Sequence, residues 1–143
     1  YRSALPATRR GRPLSEKSTS VVDANAIVAL LLGGERVHFE RARAFFEPVR
    51  EGQASAYIPA AVLAECVYVL TRIYKVTRSD TAAKLLGLLD YRGVATESAA
   101  VRRALTLYRD HNVDFVDALV AATAHEHKWR VFSFDRDLER LAK

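Results

Sequence analysis

The sequence predicts an α/β domain: a central parallel sheet of four to five short strands flanked by about seven helices. Three observations predict it. Short β-branched or aliphatic runs, beginning with Thr19-Ser20-Val21-Val22, alternate with longer helix-forming stretches, the pattern of strands joined by crossover helices. The chain has 143 residues, half of them apolar, enough to close one core without staples. Finally, only Asp23-Ala24-Asn25 separates the first strand from the helix behind it. A carboxylate therefore stands at the carboxyl end of a strand, the edge where open α/β sheets bind ligands.

Composition excludes several classes. Cys66 is the single cysteine, so no internal disulfide forms and a reducing, cytoplasmic setting is expected. The longest apolar run, residues 26–32, is far too short to span a bilayer. The polar, arginine-rich N-terminus does not read as a secretory signal. The start on Tyr1 and the absence of methionine point to a processed, trimmed or tag-bearing N-terminus. The net charge of +5 resembles a nucleic-acid footprint, but residues 1–17 hold five basic groups against Glu16 alone. The rest of the chain carries 17 basic and 16 acidic residues, so charge placement, not net charge, must carry the argument.

Residues 1–18 have no hydrophobic period and read as a disordered tail; residues 19–143 form the domain. Within the tail, Arg10-Gly11-Arg12-Pro13 resembles an AT-hook core, a minor-groove DNA element; a solvated tail is the plainer reading. The first strand runs into a helix around residues 27–32, which Gly33-Gly34 breaks. A second helix, residues 35–46, turns Val37, Ala42, Phe45 and Phe46 inward and ends at Pro48 and Gly52. Residues 54–58 form the second strand, and Pro59 opens a strongly apolar helix over residues 60–74. Thr77 or Ser79 caps the fourth helix, whose core face holds Leu85, Leu86, Leu88 and Leu89. Residues 93–96 make a brief strand, residues 98–110 and 114–127 two helices, residues 130–134 a further strand, and Asp135 starts the last helix.

The acids stand out against this frame. Glu65 shares a helical face with Val62 and Val69, where an ionised carboxylate needs compensation; an internal arginine or a place at the stripe's edge would supply it. Asp117 shares a face with Val120, Ala121 and Ala124, small enough for another element to pack close. Asp114, one turn earlier, is either a helix cap or a site residue. Asp23 and Asp135 each close a strand and start a helix, so each is either a cap or a ligand. Four carboxylates gathered at one sheet edge without a cation would repel. A hard divalent ion resolves this, and oxygen-only donors favour Mg²⁺ or Mn²⁺ over zinc. Phosphodiester hydrolysis is the natural chemistry of such a site.

At these residues the sequence resembles the PIN-domain ribonucleases, most closely the VapC-like toxins of bacterial toxin–antitoxin pairs. Val21-Val22-Asp23-Ala24-Asn25 resembles the first acidic motif, with Ala24 where Thr or Ser is common, and Ala64-Glu65 resembles the second. Asp114-Phe115-Val116-Asp117-Ala118-Leu119 is similar to the third, and Ser133-Phe134-Asp135-Arg136-Asp137 to the fourth. The resemblance implies a PIN-like (Rossmann-like) fold and a Mg²⁺- or Mn²⁺-dependent endoribonuclease. Asp23, Glu65, Asp117 and Asp135 would be its catalytic metal ligands, with Asn25, Asp114 and Ser133 orienting them or water. It implies RNA, often transfer RNA, as substrate, 5′-phosphate and 3′-hydroxyl products, a homodimer, and an antitoxin whose C-terminal segment blocks the cleft. DNA contact is expected only through the antitoxin or the basic tail.

Other features are weaker. Arg72, Lys75 and Arg78 either grip RNA phosphates or complement a helix dipole. His125-Glu126-His127 lacks the spacing of a helical zinc motif. Cys66 reads as a core thiol, and Trp129 as the anchor of the last strand. A haloacid-dehalogenase-type phosphatase would need a second Asp where Asn25 stands. A catalytically silent RNA- or partner-binding module of the same fold is the main alternative.

Overall fold

The computed structural model describes residues 19–143; the basic tail and its Arg10–Pro13 motif lie outside the described residues. Three strands form one parallel sheet in the order β1 (Thr19–Val21), β2 (Ser55–Tyr57), β3 (Val94–Ala95). Thr19 pairs with Ser55, and Ala56 with Val94. The ladder continues past the strands, Val22 donating its amide to Tyr57 and Ile58 to Ala95. All three carboxyl ends therefore emerge side by side. Asp23 follows β1, Pro59 follows β2, and Glu97 follows β3.

Among the described residues seven α-helices flank the sheet: α1 (Ala24–Leu32), α2 (Arg36–Glu51), α3 (Ala60–Tyr68), α4 (Arg78–Leu89), α5 (Ala100–Asp110), α6 (Phe115–His127) and α7 (Arg136–Leu141). Ile27, Phe46, Ile58, Leu63, Leu70, Leu85 and Leu105 are fully buried and fill the core. Helix α3 packs between α1 and α6, and α5 with α6 makes the most extensive helix pair. The buried alanines 104, 118 and 122 let α5 and α6 approach closely. Among the described residues no helix is long and apolar enough to cross a membrane.

Three expectations are corrected. Helix α2 does not stop at Pro48 but runs to Glu51, because Phe46 and Val49 continue its buried face and offset the lost backbone bond. Gly52, at φ 83°, ends it, and the Pro48 carbonyl accepts the Gln53 amide at 2.8 Å. The helix expected over residues 60–74 changes pitch: α3 passes into a π-helical turn, Val69–Ile73. Thr71 Oγ1 donates to the Val67 carbonyl at 2.7 Å and the Tyr74 amide reaches back to Val69, a hydroxyl competing for a carbonyl of the helix ladder.

The third correction concerns the sheet, which has three strands where four to five were expected. Residues 130–134 alternate as a strand should, yet lie outside any ladder. Their alternation throws Phe132 and Phe134 to one side, where they are 90% and 97% exposed. A strand is a pairing relation, and periodicity alone supplies no partner. Trp129 anchors no strand; it stacks on His127 at 4.2 Å.

Two contacts hold the strand ends in register. Gly93 donates its amide to Val49 at 2.8 Å and accepts from Ala56 at 2.8 Å, so close that an added Cβ would fall on the Ala54 carbonyl oxygen. Glu97 Oε1 accepts the Ala60 amide at 2.8 Å, capping α3 where Pro59 has no side chain able to do so. Gly93→Ala should cost about 3 kcal/mol, the upper end of overpacking, and Glu97→Ala about 1 kcal/mol, as for a lost cap. Urea denaturation of both variants measures these losses.

Candidate functional site

A helix start needs acceptors for its first backbone amides, and the three aspartates at helix starts meet this need differently. Asp135 Oδ1 accepts the amides of Asp137 at 2.9 Å and Leu138 at 3.4 Å, while Ser133 Oγ accepts the Asp135 amide at 3.0 Å. Both residues thus build the turn into α7. Asp23 and Asp114 hold extended N-cap backbone conformations before α1 and α6, but neither side chain makes a capping bond. Their carboxylates are free for other work.

Glu65 and Asp117 complete the set. Glu65 is exposed and its flanking Val62 and Val69 are half-buried, so it lies at the edge of its apolar stripe and needs no internal arginine. Asp117 is half-buried in the first turn of α6, where its charge complements the helix dipole. Among the described residues no Lys or Arg forms an ion pair with Asp23, Glu65, Asp114 or Asp117.

The fold gathers these acids as two neighbouring groups. Cys66, fully buried on α3, has its thiol pushed up to about 12 by burial and then by the charges of Glu65 and Asp23. Those two carboxylates therefore flank one point of α3. Asp114 and Asp117 open into a groove of about 550 Å³, whose wall includes Ala64, Tyr68, Arg72 and Tyr108. Ala64, on that wall, directly precedes Glu65 on α3, so both groups adjoin this helix. Asn25 lines a second groove with Tyr74 and Val76, and Val76 also belongs to the wall of the first. Nothing ties Asp135 to the other acids. Among the described residues no three Asp, Glu, His or Cys side chains come close enough to enclose an ion.

In donor chemistry the acids fit a hard divalent cation: they offer oxygen only, and among the described residues no side-chain cation pairs with them. The opposite charge in the groove comes from Arg72 and Arg78. Arg78 Nη1 donates to the carbonyls of Tyr108, His111 and Val113 at 2.8, 3.3 and 2.6 Å, and its guanidinium lies 4.2 Å from the Tyr108 ring centre. Burial raises the Tyr108 phenol; Arg78 and Arg72 pull it down and Asp114 pushes it up. Arg78 serves the end of α5 rather than its own helix. It sits at the start of α4, where the dipole disfavours a cation. That misplaced charge was the sequence signal of a tertiary role. Glu97, which caps α3, carried no comparable signal.

A family model described as PIN domain matches residues 20–143. No curated protein and no solved structure matches the chain.

The thiol of Cys66 reports on the first acid pair. Its folded value lies above the unfolded one, so the native state holds the proton longer. The associated stability is complete below the ordinary thiol range and is lost as pH rises toward about 12. Glu65→Gln removes the larger of the two charge effects and should move the thiolate titration, followed by ultraviolet absorbance, to lower pH. An unchanged titration would place Glu65 away from the thiol.

Proposed function

Because the chain belongs to the PIN-domain family, a nuclease-type fold, we propose that it is a Mg²⁺- or Mn²⁺-dependent endoribonuclease. The observation that carries this reading is a set of four carboxylates without a cation partner among the described residues, one of which, Asp23, stands at the sheet's carboxyl edge. Asp23 and Asp114 stand at helix starts without capping, Glu65 lies near Asp23 and Asp117 beside Asp114, and among the described residues none of the four has a cation partner. Such carboxylates are the hard oxygen donors that a divalent ion takes.

Asp23, Glu65 and Asp117 hold the ion in this reading. Asp135, whose cap uses Oδ1 alone, or Asp114, beside Asp117 in the groove, would supply a fourth carboxylate. The ion supplies positive charge against the negative charge that develops on the phosphodiester. The chain's residues do the rest. A free carboxylate accepts the proton of the attacking water, as a general base must. Arg72, on the groove wall and without an ion-pair partner among the described residues, holds a neighbouring phosphate. Asn25 and Ser133 orient ligands or water. In-line attack leaves a 5′-phosphate and a 3′-hydroxyl.

The likeness of the four acidic motifs to VapC-like toxins supports a finer proposal: the toxin of a toxin–antitoxin pair, a homodimer acting on cytoplasmic RNA such as transfer RNA. A cognate antitoxin then occupies the cleft. A second reading, a silent RNA- or partner-binding module, is favoured by one observation. No three metal-binding side chains among the described residues close around a common point.

The two readings diverge in a cleavage assay on structured RNA. The nuclease cleaves with Mg²⁺ or Mn²⁺ and is stopped by EDTA, and Asp23→Asn or Asp117→Asn lowers kcat by more than about 100-fold, beyond the loss typical of a supporting residue. RNA binding with no cleavage in any of these conditions selects the silent module.

A further inference from the structure

The turn between α5 and α6 decides where Asp114 and Asp117 stand, because Asp114 is its last residue and Asp117 lies one helical turn on. This turn, residues 111–114, makes few bonds of its own. The His111 amide bonds back to Leu107, and the Ala118 amide to Asp114. The Asp114 side chain, which at most helix starts would pin the first turn, does not do so here. What fixes the turn comes from elsewhere in the chain. Arg78, at the start of α4, reaches 30 residues and more along the sequence to bond three carbonyls at once: Tyr108 in the last turn of α5, His111 at its end, and Val113 beside Asp114. Its guanidinium is itself held in place by the Tyr108 ring, 4.2 Å beneath it.

We propose that Arg78 is a positioning residue for the acidic site, holding the α5–α6 turn so that Asp114 and Asp117 face the groove. The inference rests on the metal-dependent reading above. The chemistry suits the task. The last carbonyls of α5 lack helical partners, and a cation there meets both the lone pairs and the negative end of the dipole. With Tyr108, His111 and Val113 tied to one nitrogen, neither end of the turn can move independently. Arg78 also takes over the ordering that a capping Asp114 would have provided, leaving that carboxylate for the groove. Arg72, on the same groove wall, makes no such bond among the described residues, so the two arginines divide their work between substrate and scaffold.

The test compares the wild-type protein with Arg78→Gln and Arg78→Lys. It uses Mn²⁺ titration calorimetry, amide hydrogen exchange over residues 111–117, and kcat and KM on RNA. Arg78→Gln should speed exchange in the turn, weaken Mn²⁺ binding about 10- to 100-fold, as supporting residues of metal sites do, and lower kcat with KM little changed. Arg78→Lys keeps the positive charge and a multiple N–H donor but loses the planar stack; it should fall between Gln and wild type in all three. Should the Gln variant fail to fold, the Lys variant carries the comparison. The proposal is overturned if exchange in the turn is unchanged, or if it quickens while Mn²⁺ affinity and kcat stay within twofold of wild type. A wild-type protein that neither binds Mn²⁺ nor cleaves RNA instead overturns the metal-dependent reading.

Discussion

Each helix begins with backbone amides that no residue of its own can satisfy, and the way this chain answers that demand governs its charged surface. Thr77 serves α4 through the Asp80 amide, Ser98 serves α5 through Ala100, and Asp135 serves α7. Helix α3 receives its acceptor from Glu97, far along the sequence. Helices α1 and α6 receive none from the aspartates that precede them. An aspartate spent on a cap is a structural part; one left unspent at a sheet's carboxyl edge is an unbalanced charge. The acidic character of the site follows from which aspartates are left out of capping.

The parallel sheet turns these local choices into a shared location. Its strands are only two or three residues long, but their register brings Asp23, the start of α3 and Glu97 out at one edge. Helix α3 then spaces the acids, with Asp23 and Glu65 acting on the buried thiol of Cys66 and Asp114 with Asp117 opening into the adjoining groove. Gly93 is indispensable to this arrangement because β3 reaches its register only by passing against the Val49 and Ala54 carbonyls. The π-helical turn after α3 places Thr71 and Arg72 on the groove wall, so a departure from regular pitch falls where a ligand would lie.

Much of this was legible in the residues. Alternating apolar runs and helical stretches disclosed three of the four individual strands proposed and the succession of helices. The apolar setting of Glu65 and Asp117 marked those carboxylates, and Thr77 was one of the two residues, with Ser79, expected to cap α4. Residues 130–134 misled for a definite reason: alternation reports which side chains share a face, while a strand exists only through a neighbouring backbone. Pro48 misled because a proline costs a helix one bond, and burial of Phe46 and Val49 on either side outweighs that cost.

The sequence by itself determined the α/β class, the order of elements and the identity of the acids, because periodicity and propensity act between residues close in the chain. Tertiary structure alone decided which aspartates are caps, which of the two groove arginines binds backbone, and that Glu97 completes a helix begun 37 residues earlier. Those outcomes depend on which donor finds which acceptor in space. That choice is made only when distant segments pack.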